Sequence, residues 1–391
     1  ILFFALSYGN VSKKNRLILG AITVLFLAAL LAFSKPLVAR VSEIFSPKQD
    51  IASKGTESSK IRLIVWEGAI SAFKSKPYLG YGPETFAYSY YLFRPEAHNK
   101  TTEWNFFYNK AHNEFLNYLA NVGALGTIAY LALLMSICLP LLKNNGENKI
   151  VTKAIAASLI GYQITIFFGF STVATQLYMY TASACGLILL QTENIYLKFK
   201  IAKFQNLLIF LTFATFVIFM SYPLRLYFAD ILINKAKTTD NSLNIYKSAQ
   251  ETFPGKNPFY LSDYAYESAY EANNAENKNL AQEADKLVQI SNAIAPKNIT
   301  FVRKAAETYI LISEFDPIYA QRAVDYSNKL ITMAKTDPKS YTTLAKAYLA
   351  SGDKEAAKSA LEQAIKLKPD YVEALELLDA VNKSIVDTQS N

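Results

Sequence analysis

Long stretches of apolar residues without charge constrain this chain more than any other feature of its sequence. A helix needs about 20 mostly apolar residues to cross a bilayer. The stretches that approach or meet this length are Leu17–Phe33, Val122–Leu142, Ala154–Phe170, Thr172–Gln191 and Phe204–Tyr222. The chain also opens on the apolar sequence ILFFALSYGN without an initiator methionine. We therefore expect a polytopic bundle of transmembrane helices in a fragment of a longer protein. The close pair 154–170 and 172–191 could instead form a re-entrant hairpin.

Basic residues in the short segments between these stretches predict the orientation of the bundle. They are Lys13, Lys14, Arg16, Lys143, Lys149, Lys153, Lys198, Lys200 and Lys203. Short loops rich in lysine and arginine usually face the cytoplasm, whereas the turn Gly169–Ala174 carries no charge. One arrangement satisfies all three basic segments. It predicts a multi-pass protein of the cell membrane, in contact with membrane lipids, whose loop 34–121 and residues 223–391 are extracytoplasmic.

The composition changes sharply after residue 222, where long apolar runs give way to a segment rich in Ala, Lys, Glu, Asp and Tyr. This change predicts two domains: a transmembrane domain, 1–222, which includes the loop 34–121, and a soluble domain, 223–391. The formal net charge is +8. Basic cytoplasmic loops explain a positive charge in a membrane protein, so we predict no nucleic-acid partner.

Motifs for metals and cofactors do not occur in the sequence. It contains two histidines, His98 and His112, and two cysteines, Cys138 and Cys185, which both lie within apolar runs. Metal sites need several such ligands at characteristic spacings, and cysteines in apolar runs usually behave as small buried hydrophobic residues. We therefore expect no metal site and no cofactor. His98 is interpreted as an ordinary loop residue.

The predicted outer loop is too long to be a simple connection, because loops of this length are usually functional. Apolar residues spaced by three and four within Ile61–Lys74 predict a short amphipathic helix. The following turn contains Gly80 and Gly82, which permit a close approach of the backbone. A tract rich in Tyr, Phe and Trp comes next, and Ala111–Leu116 then leads into an apolar stretch.

Four short motifs follow one another through this region. They are Arg62-x-x-x-Trp66, Pro77-x-x-Gly80-x-Gly82, His112-Asn113 and Gly123-x-x-Gly126 at the head of a transmembrane helix. In this order the region, about 35–222, resembles the large extracytoplasmic loop and helices of O-antigen ligases and O-antigen polymerases. The resemblance implies a bacterial membrane glycosyltransferase of cell-envelope polysaccharide synthesis. Such an enzyme moves a glycan from a polyprenyl-pyrophosphate donor to an acceptor hydroxyl. The acceptor belongs to a lipid, a glycan or a protein, and the sequence leaves these three possibilities open.

The resemblance implies catalytic roles for His112 and Arg62. His112 is the candidate base, or the residue that orients the acceptor, because an imidazole can take a proton near neutral pH. Arg62 is the candidate cation for the pyrophosphate, since arginine forms forked bonds to phosphate oxygens and stays protonated. This chemistry requires no metal. Family members carry further arginines upstream, and we expect those positions to lie outside this sequence.

Substrate binding is assigned to Arg94, Trp66, Asn113 and Glu114. Arg94 is the other arginine of the loop and matches no position of the family pattern. Trp66 could instead anchor the loop at the membrane interface, and the Arg62 side chain could extend to lipid headgroups. Asn113 and Glu114 follow the histidine directly and could orient its imidazole.

The C-terminal part contains a helical repeat. Residues 338–371 match the tetratricopeptide template of about 34 residues, with Tyr341, Leu344, Ala345, Tyr348, Gly352, Ala357, Leu361, Ala364 and Pro369 at the expected positions. Degenerate units at about 258–295 and 296–338, and a helical pattern from near Phe228, predict three to four helix pairs. Such arrays usually bind a peptide or protein, so we expect a protein partner. A C-terminal domain of this kind also recurs in the family that the loop resembles.

The predicted fold class is all-α: a polytopic transmembrane helical bundle with a large extracytoplasmic loop, followed by a soluble α-superhelix similar to tetratricopeptide repeats. The alternative function is a non-enzymatic membrane scaffold whose repeats bind envelope proteins. A transporter is less consistent with the sequence, because the apolar stretches show no charged residue in mid-span and no inverted repeat.

Overall fold

The computed structural model describes residues 58–190, 205–239, 242–252 and 257–390. Within these ranges the chain consists of helices and their connections, without strands, which confirms the all-α prediction. The predicted crossing Leu17–Phe33 and the basic segments around Lys13 and Lys198 lie outside the described residues. The chain forms two compact units, of which the first ends at Tyr196 and the second begins at Leu197.

The loop of the first unit is a folded structure with its own core. It contains α1 (Ser58–Ser75), α2 (Phe86–Phe93) and a 3₁₀ helix (Glu96–Lys100). Helix α1 confirms the predicted amphipathic helix, because Ile61, Val65 and Ala72 lie on its buried face. Its buried residues pack in one cluster with Phe86, Tyr90, Tyr108, Ala111 and Ala120.

Three further helices complete the described part of this unit: α3 (Glu114–Lys143), α4 (Lys149–Phe167) and α5 (Val173–Ile188). Helices α3 and α4 are long and apolar enough to cross a membrane. Helix α5 has 16 residues, about 24 Å of helix, and is thus shorter than the predicted crossing Thr172–Gln191 and than a hydrocarbon core of about 30 Å. The re-entrant alternative for this helix pair therefore stays open.

Two glycines allow the loop to dock on a kink in α3. Gly123 interrupts the helix with φ 66°, and Gly80 has φ 65°. A Cβ atom on Gly123 would lie 2.3 Å from the Tyr78 carbonyl oxygen, and one on Gly80 would lie 2.5 Å from the Asn121 carbonyl. Backbone hydrogen bonds of 2.7 Å join Gly82 N to Asn121 O and Ala124 N to Pro77 O. The close backbone approach predicted for this turn is confirmed.

The second unit begins with α6 (Gln205–Ala236), whose residues Ile209–Ala236 form the third helix able to cross a membrane. The predicted domain boundary at 222/223 falls inside this helix. The remaining helices are α7 (Ser242–Thr252), α8 (Pro258–Asn274), α9 (Lys278–Ile294), α10 (Ile299–Leu311), α11 (Pro317–Met333), α12 (Pro338–Ala350), α13 (Lys354–Leu367) and α14 (Val372–Ser390).

Helices α6 to α13 form the predicted helix pairs. The last turns of α6 pack on α7 through Ala229, Ile233, Tyr246 and Ala249, and the pairs α8–α9, α10–α11 and α12–α13 follow. Small residues make this packing close, since alanines are recurrent members of the buried core. Helices α8, α11 and α12 each begin with a capping Asn or Asp followed by proline, as at Asp337–Pro338. The array is thus encoded by locally repeated signals.

Candidate functional site

His112 lies at the junction between the loop and α3. Its backbone adopts φ 54°, a conformation that is uncommon for residues other than glycine. The preceding Ala111 is fully buried, and the following Asn113 caps α3 by accepting a hydrogen bond from Leu116 N at 3.0 Å. These neighbours fix the direction in which the half-buried imidazole projects.

The His112 ring packs between two aromatic side chains. Its centroid lies 5.8 Å from that of Tyr108 and 5.2 Å from that of Phe170, in an edge-to-face arrangement with both rings. Tyr108 belongs to the loop core, whereas Phe170 lies in the turn between α4 and α5. The histidine therefore bridges two parts of the chain that are far apart in sequence.

Arg62 reaches the same turn from α1. Its Nη1 atom donates a hydrogen bond to the carbonyl oxygen of Phe168 at 3.2 Å. A guanidinium group has five N–H donors, so this bond orients the group and leaves donors for a ligand. Arg62 is also close enough to His112 for its charge to affect the protonation of the imidazole.

Trp66 follows Arg62 by one helical turn and packs on Phe167. The ring centroids are 6.1 Å apart in an edge-to-face arrangement. The indole Nε1 atom is buried and has no hydrogen-bond partner among the described residues. Trp66 thus carries a donor that a ligand or water molecule can use, within the same contact region as Arg62.

Glu114 connects the start of α3 to the end of this turn. Its carboxylate is buried, 2% exposed, and accepts hydrogen bonds from Ser171 Oγ at 2.5 Å and Ser171 N at 3.3 Å. The Ser171 hydroxyl in turn accepts a bond from Gln176 Nε2 at 2.7 Å. A buried carboxylate needs such partners, so Glu114 positions the turn.

The five residues Phe167–Ser171, which we name the aromatic turn, form one wall of the candidate site. Trp66, Arg62, His112 and Glu114 contact Phe167, Phe168, Phe170 and Ser171, respectively. In the sequence, the first residues of this segment stood at the end of the apolar stretch Ala154–Phe170, and the rest belonged to the uncharged turn Gly169–Ala174 on the same side of the membrane as the loop. Its contacts with the loop could not be inferred, because they join residues more than 50 positions apart.

The protonation of His112 depends on burial and two opposing charges. Burial has the largest effect and lowers the pKa of the imidazole from its usual value of 6.5. The positive charge of Arg62 lowers this pKa further, whereas the carboxylate of Glu103 raises it. Since the net shift is downward, the imidazole is neutral at neutral pH and able to accept a proton.

A buried polar network supports His112 from the loop side, and sequence reasoning missed most of it. The Tyr108 hydroxyl donates a hydrogen bond to the Glu103 carboxylate. Burial and this bond together raise the pKa of the Tyr108 hydroxyl. His98 Nδ1 lies 2.6 Å from the Tyr90 hydroxyl, and its Nε2 lies 3.2 Å from the Glu103 carbonyl oxygen. His98 is fully buried and thus belongs to the core of the loop, and the interpretation that it has no chemical role stays a prediction. Tyr108 belongs to the aromatic tract that the sequence showed, whereas Glu103 belongs to no motif.

Arg94 and Asn113 take part in contacts within the loop, and their assignment to substrate binding stays a prediction. Arg94 is 4% exposed and donates from Nη2 to the Trp104 carbonyl at 2.8 Å. The side-chain oxygen of Asn113 is engaged in capping α3. Both residues therefore stabilise the loop. The hydrogen bonds and ring contacts to the aromatic turn come instead from Arg62, Trp66, His112 and Glu114.

Side chains that could bind a metal do not form a cluster in the part of the chain that the structure describes. There, no set of three or more His, Cys, Asp or Glu side chains is arranged to hold a metal ion. Metal independence of the chemistry remains a prediction.

Comparison with known families gives independent information about both units. Residues 1–131 match a family model described as O-antigen ligase. The resemblance to O-antigen ligases is confirmed. Residues 338–371 match a tetratricopeptide repeat model, which coincides with the predicted repeat. No curated protein matches the chain.

The O-antigen ligase match includes Arg62, Trp66, Arg94, His112 and Glu114. It starts earlier than the predicted range of about 35–222 and ends earlier, so the aromatic turn lies outside it. Together with the helices able to cross a membrane, the match supports a role in membrane glycosyl transfer during envelope biosynthesis. The repeat match supports protein interaction in general.

Proposed function

We propose that this protein transfers a glycan from a polyprenyl-pyrophosphate donor to the hydroxyl group of an acceptor. The observation that carries this proposal is the convergence of Arg62 and His112 on the aromatic turn, where Arg62 bonds to Phe168 and His112 packs on Phe170. A permanent cation and a neutral imidazole thereby flank one small region. These are the two groups that the reaction requires.

The acceptor side of the reaction is assigned to His112. A hydroxyl group is a weak nucleophile until a base takes its proton as the new bond forms. The lowered pKa of His112 keeps its imidazole unprotonated at neutral pH. The acceptor oxygen attacks the anomeric carbon of the donor sugar, and its proton passes to a ring nitrogen of His112.

The donor side of the reaction is assigned to Arg62. The bond between the anomeric carbon and the phosphate oxygen breaks, and the pyrophosphate leaves with the electron pair of that bond. The guanidinium donors of Arg62 stabilise the charge that develops on the leaving group. This assignment needs no metal, because the arginine supplies the positive charge.

The location of the reaction follows from the predicted orientation. The loop and the aromatic turn lie at one end of α3 and α4, and the basic segment with Lys143 and Lys149 lies at the other end. Cytoplasmic placement of that basic segment puts the candidate site on the extracytoplasmic side, where membrane lipids present the donor. The repeat domain is then also extracytoplasmic, and it binds a protein partner there.

Reconstitution of the full-length protein with a labelled lipid-linked glycan and an acceptor tests the proposal. We expect His112→Gln to reduce the transfer rate by about 10²–10⁴-fold, the usual contribution of a general base. Asn105→Ala, at an exposed position of the same loop, is the control and should transfer at the normal rate. Normal transfer by the His112→Gln protein would show that the base lies elsewhere.

A further inference from the structure

A cleft of 690 Å³ opens in the second unit, between the C-terminal part of α6 and the start of α8. Its walls include Asp230, Asn234 and Lys237 from the α6 side, and Phe259 and Asp263 from the α8 side. The volume lies within the range of about 300–1,000 Å³ that is common for small-molecule sites. Ile233 and Tyr260 of the cleft wall also belong to the buried cluster that joins α6 to α7, whereas the polar and aromatic side chains that face the open space have no part in the proposed reaction.

The cleft lies where a membrane helix continues into the repeat array. The span Ile209–Ala236 has 28 residues, about eight more than a bilayer crossing needs. Ala229, Ile233 and Ala236 of its last turns are buried against α7. Asp230 and Asn234, one turn apart and both exposed, lie on a different side and face the cleft. The membrane-proximal end of the array thus presents a polar stripe to this space.

The opposite wall is aromatic. Phe259 is 49% exposed although it is a large apolar residue, and its ring rests edge-on against Phe301 at a centroid distance of 4.8 Å. Phe301 is itself buried, so it holds the Phe259 ring in place. An exposed, supported aromatic face opposite a carboxylate and an amide suits a sugar ring. The ring's C–H face packs on the aromatic residue, and its hydroxyls bond to the polar groups.

The charged side chains of the cleft favour a neutral sugar over a phosphate as the ligand. Lys237 lies 3.8 Å from Asp263, and Lys304 also pairs with Asp263, so these cations face a carboxylate. Asp230 adds a second carboxylate to the walls. Because Asp263 already compensates the charge of these cations, Asp230 is the carboxylate of the cleft that would repel a phosphate and accept hydrogen bonds from sugar hydroxyls.

We propose that this cleft binds a neutral carbohydrate. Phe259 stacks on a sugar ring, while Asp230 and Asn234 bond to its hydroxyl groups. The site is distinct from the candidate site around Arg62 and His112, and sugar binding here does not depend on the reaction proposed there. It adds carbohydrate recognition to a domain whose repeats otherwise indicate protein interaction.

Saturation-transfer NMR and calorimetry on the full chain in phosphatidylcholine nanodiscs test this proposal. The probes are neutral trisaccharides of glucose, galactose and N-acetylglucosamine. We expect saturable binding of at least one probe and about a tenfold or greater loss of affinity in Asp230→Asn, since hydrogen bonds to charged groups contribute about 1.5–3 kcal/mol. Asn234→Ala should also weaken binding, and it provides a second variant if Asp230→Asn does not fold.

Asp325→Asn is the matched control, because Asp325 is an exposed carboxylate on α11 that does not line the cleft. It should bind the trisaccharide like the parent protein. His112→Gln should bind normally as well, which separates this proposal from the proposed function. Three results would overturn the inference: no binding of any trisaccharide, binding that survives both cleft substitutions, or binding of inorganic phosphate or phosphatidylglycerol nanodiscs that requires Lys237.

Discussion

At the scale of single residues, the site depends on the backbone position of His112. The cost of a left-handed conformation for a residue with a Cβ atom is about 1–3 kcal/mol. Burial of Ala111 and the cap formed by Asn113 stabilise this conformation. Asn113 thus stabilises the backbone at this position, and its assignment to substrate binding stays a prediction.

The charge of Arg62 should be visible in the pH dependence of transfer. Arg62 lowers the pKa of His112, so its replacement in Arg62→Gln should raise that pKa. Protonated His112 cannot act as a base, and the acidic limb of the kcat/KM profile should therefore move to higher pH. The profile of the reconstituted protein measures this shift.

Two controls make the pH experiment specific. Arg62→Lys retains the positive charge, so the acidic limb should stay near its original position even though the loss of the forked donor lowers the rate. Lys110→Met removes a cation that pairs with Glu84 at 2.6 Å and should leave the limb in place. A shift to lower pH in Arg62→Gln would contradict the electrostatic assignment.

The residues of the candidate site differ in how far the sequence could identify them. Arg62 and His112 stood in motifs with a chemical rationale, and the structure brings both to the aromatic turn. Glu103 stood in no motif. Its effect on His112 arises because Tyr108 and His98 hold it in the loop core, and such contacts are properties of packing.

At the scale of secondary-structure elements, the site is an assembly of a helix, a kink and a turn. Helix α1 presents Arg62 and Trp66, the start of α3 presents His112 and Glu114, and the aromatic turn receives all four. The docking of the Gly80 turn on the Gly123 kink determines how the loop lies on α3. Local backbone geometry therefore controls the distances within the site.

Substitution of the kink glycine should destabilise the protein strongly. Gly123→Ala places a Cβ atom 2.3 Å from the Tyr78 carbonyl oxygen at a positive φ. Strain and overpacking each cost about 1–3 kcal/mol, so we expect a clear fall in Tm in detergent. The control is Gly161→Ala in α4, where a Cβ atom meets nothing within 4 Å. A Tm for Gly123→Ala equal to that of the control would be inconsistent with the docking described here.

The bond between Glu114 and Ser171 should be needed to hold the aromatic turn. Ser171→Ala removes a donor from a buried carboxylate and the partner of Gln176, at a cost of about 1–3 kcal/mol. We expect a lower Tm and, because the turn carries contacts to Arg62 and His112, a transfer rate reduced on the order of tenfold. Ser136→Ala, whose hydroxyl bonds only within α3 to Leu133 O, should change neither quantity. An unchanged Tm in Ser171→Ala would contradict this role.

At the scale of the whole molecule, the two units have different relations to the membrane. In the first unit, α3 and α4 can cross the bilayer and the loop folds at one of their ends. In the second unit, α6 is long and apolar enough to cross a membrane, and its last turns also pack on α7 at the start of the repeat array. If α6 crosses the bilayer as its composition predicts, its continuity brings the base of the array next to the membrane surface.

Cysteine labelling should establish the orientation of these parts. In a background with Cys138→Ala and Cys185→Ala, a membrane-impermeant maleimide applied to intact cells should label Asn105→Cys in the loop and Ser351→Cys in the repeats. It should not label Asn145→Cys in the basic segment. All three positions are exposed, so accessibility to water does not distinguish them. Labelling of Asn145→Cys alone would place the site in the cytoplasm.

The sequence alone determined the all-α class, helix α1, the stretches that form α3 and α4, and the repeat at 338–371. These features depend on periodicity and composition within a short segment, which are visible without knowledge of distant contacts. The extension of α6 through residue 222 was missed, because the change from apolar to mixed composition was taken as a domain boundary. In the structure one continuous helix, α6, includes both the apolar stretch and the first residues of the mixed segment.

Only the tertiary structure decided which residues share a site. The aromatic turn lies 57 positions from Glu114 and 106 from Arg62 in the chain, and no periodic pattern connects them. The same holds for the carbohydrate cleft, where α6 and α8 supply opposite walls. Burial of apolar residues and satisfaction of buried polar groups select these contacts, and both depend on the whole fold.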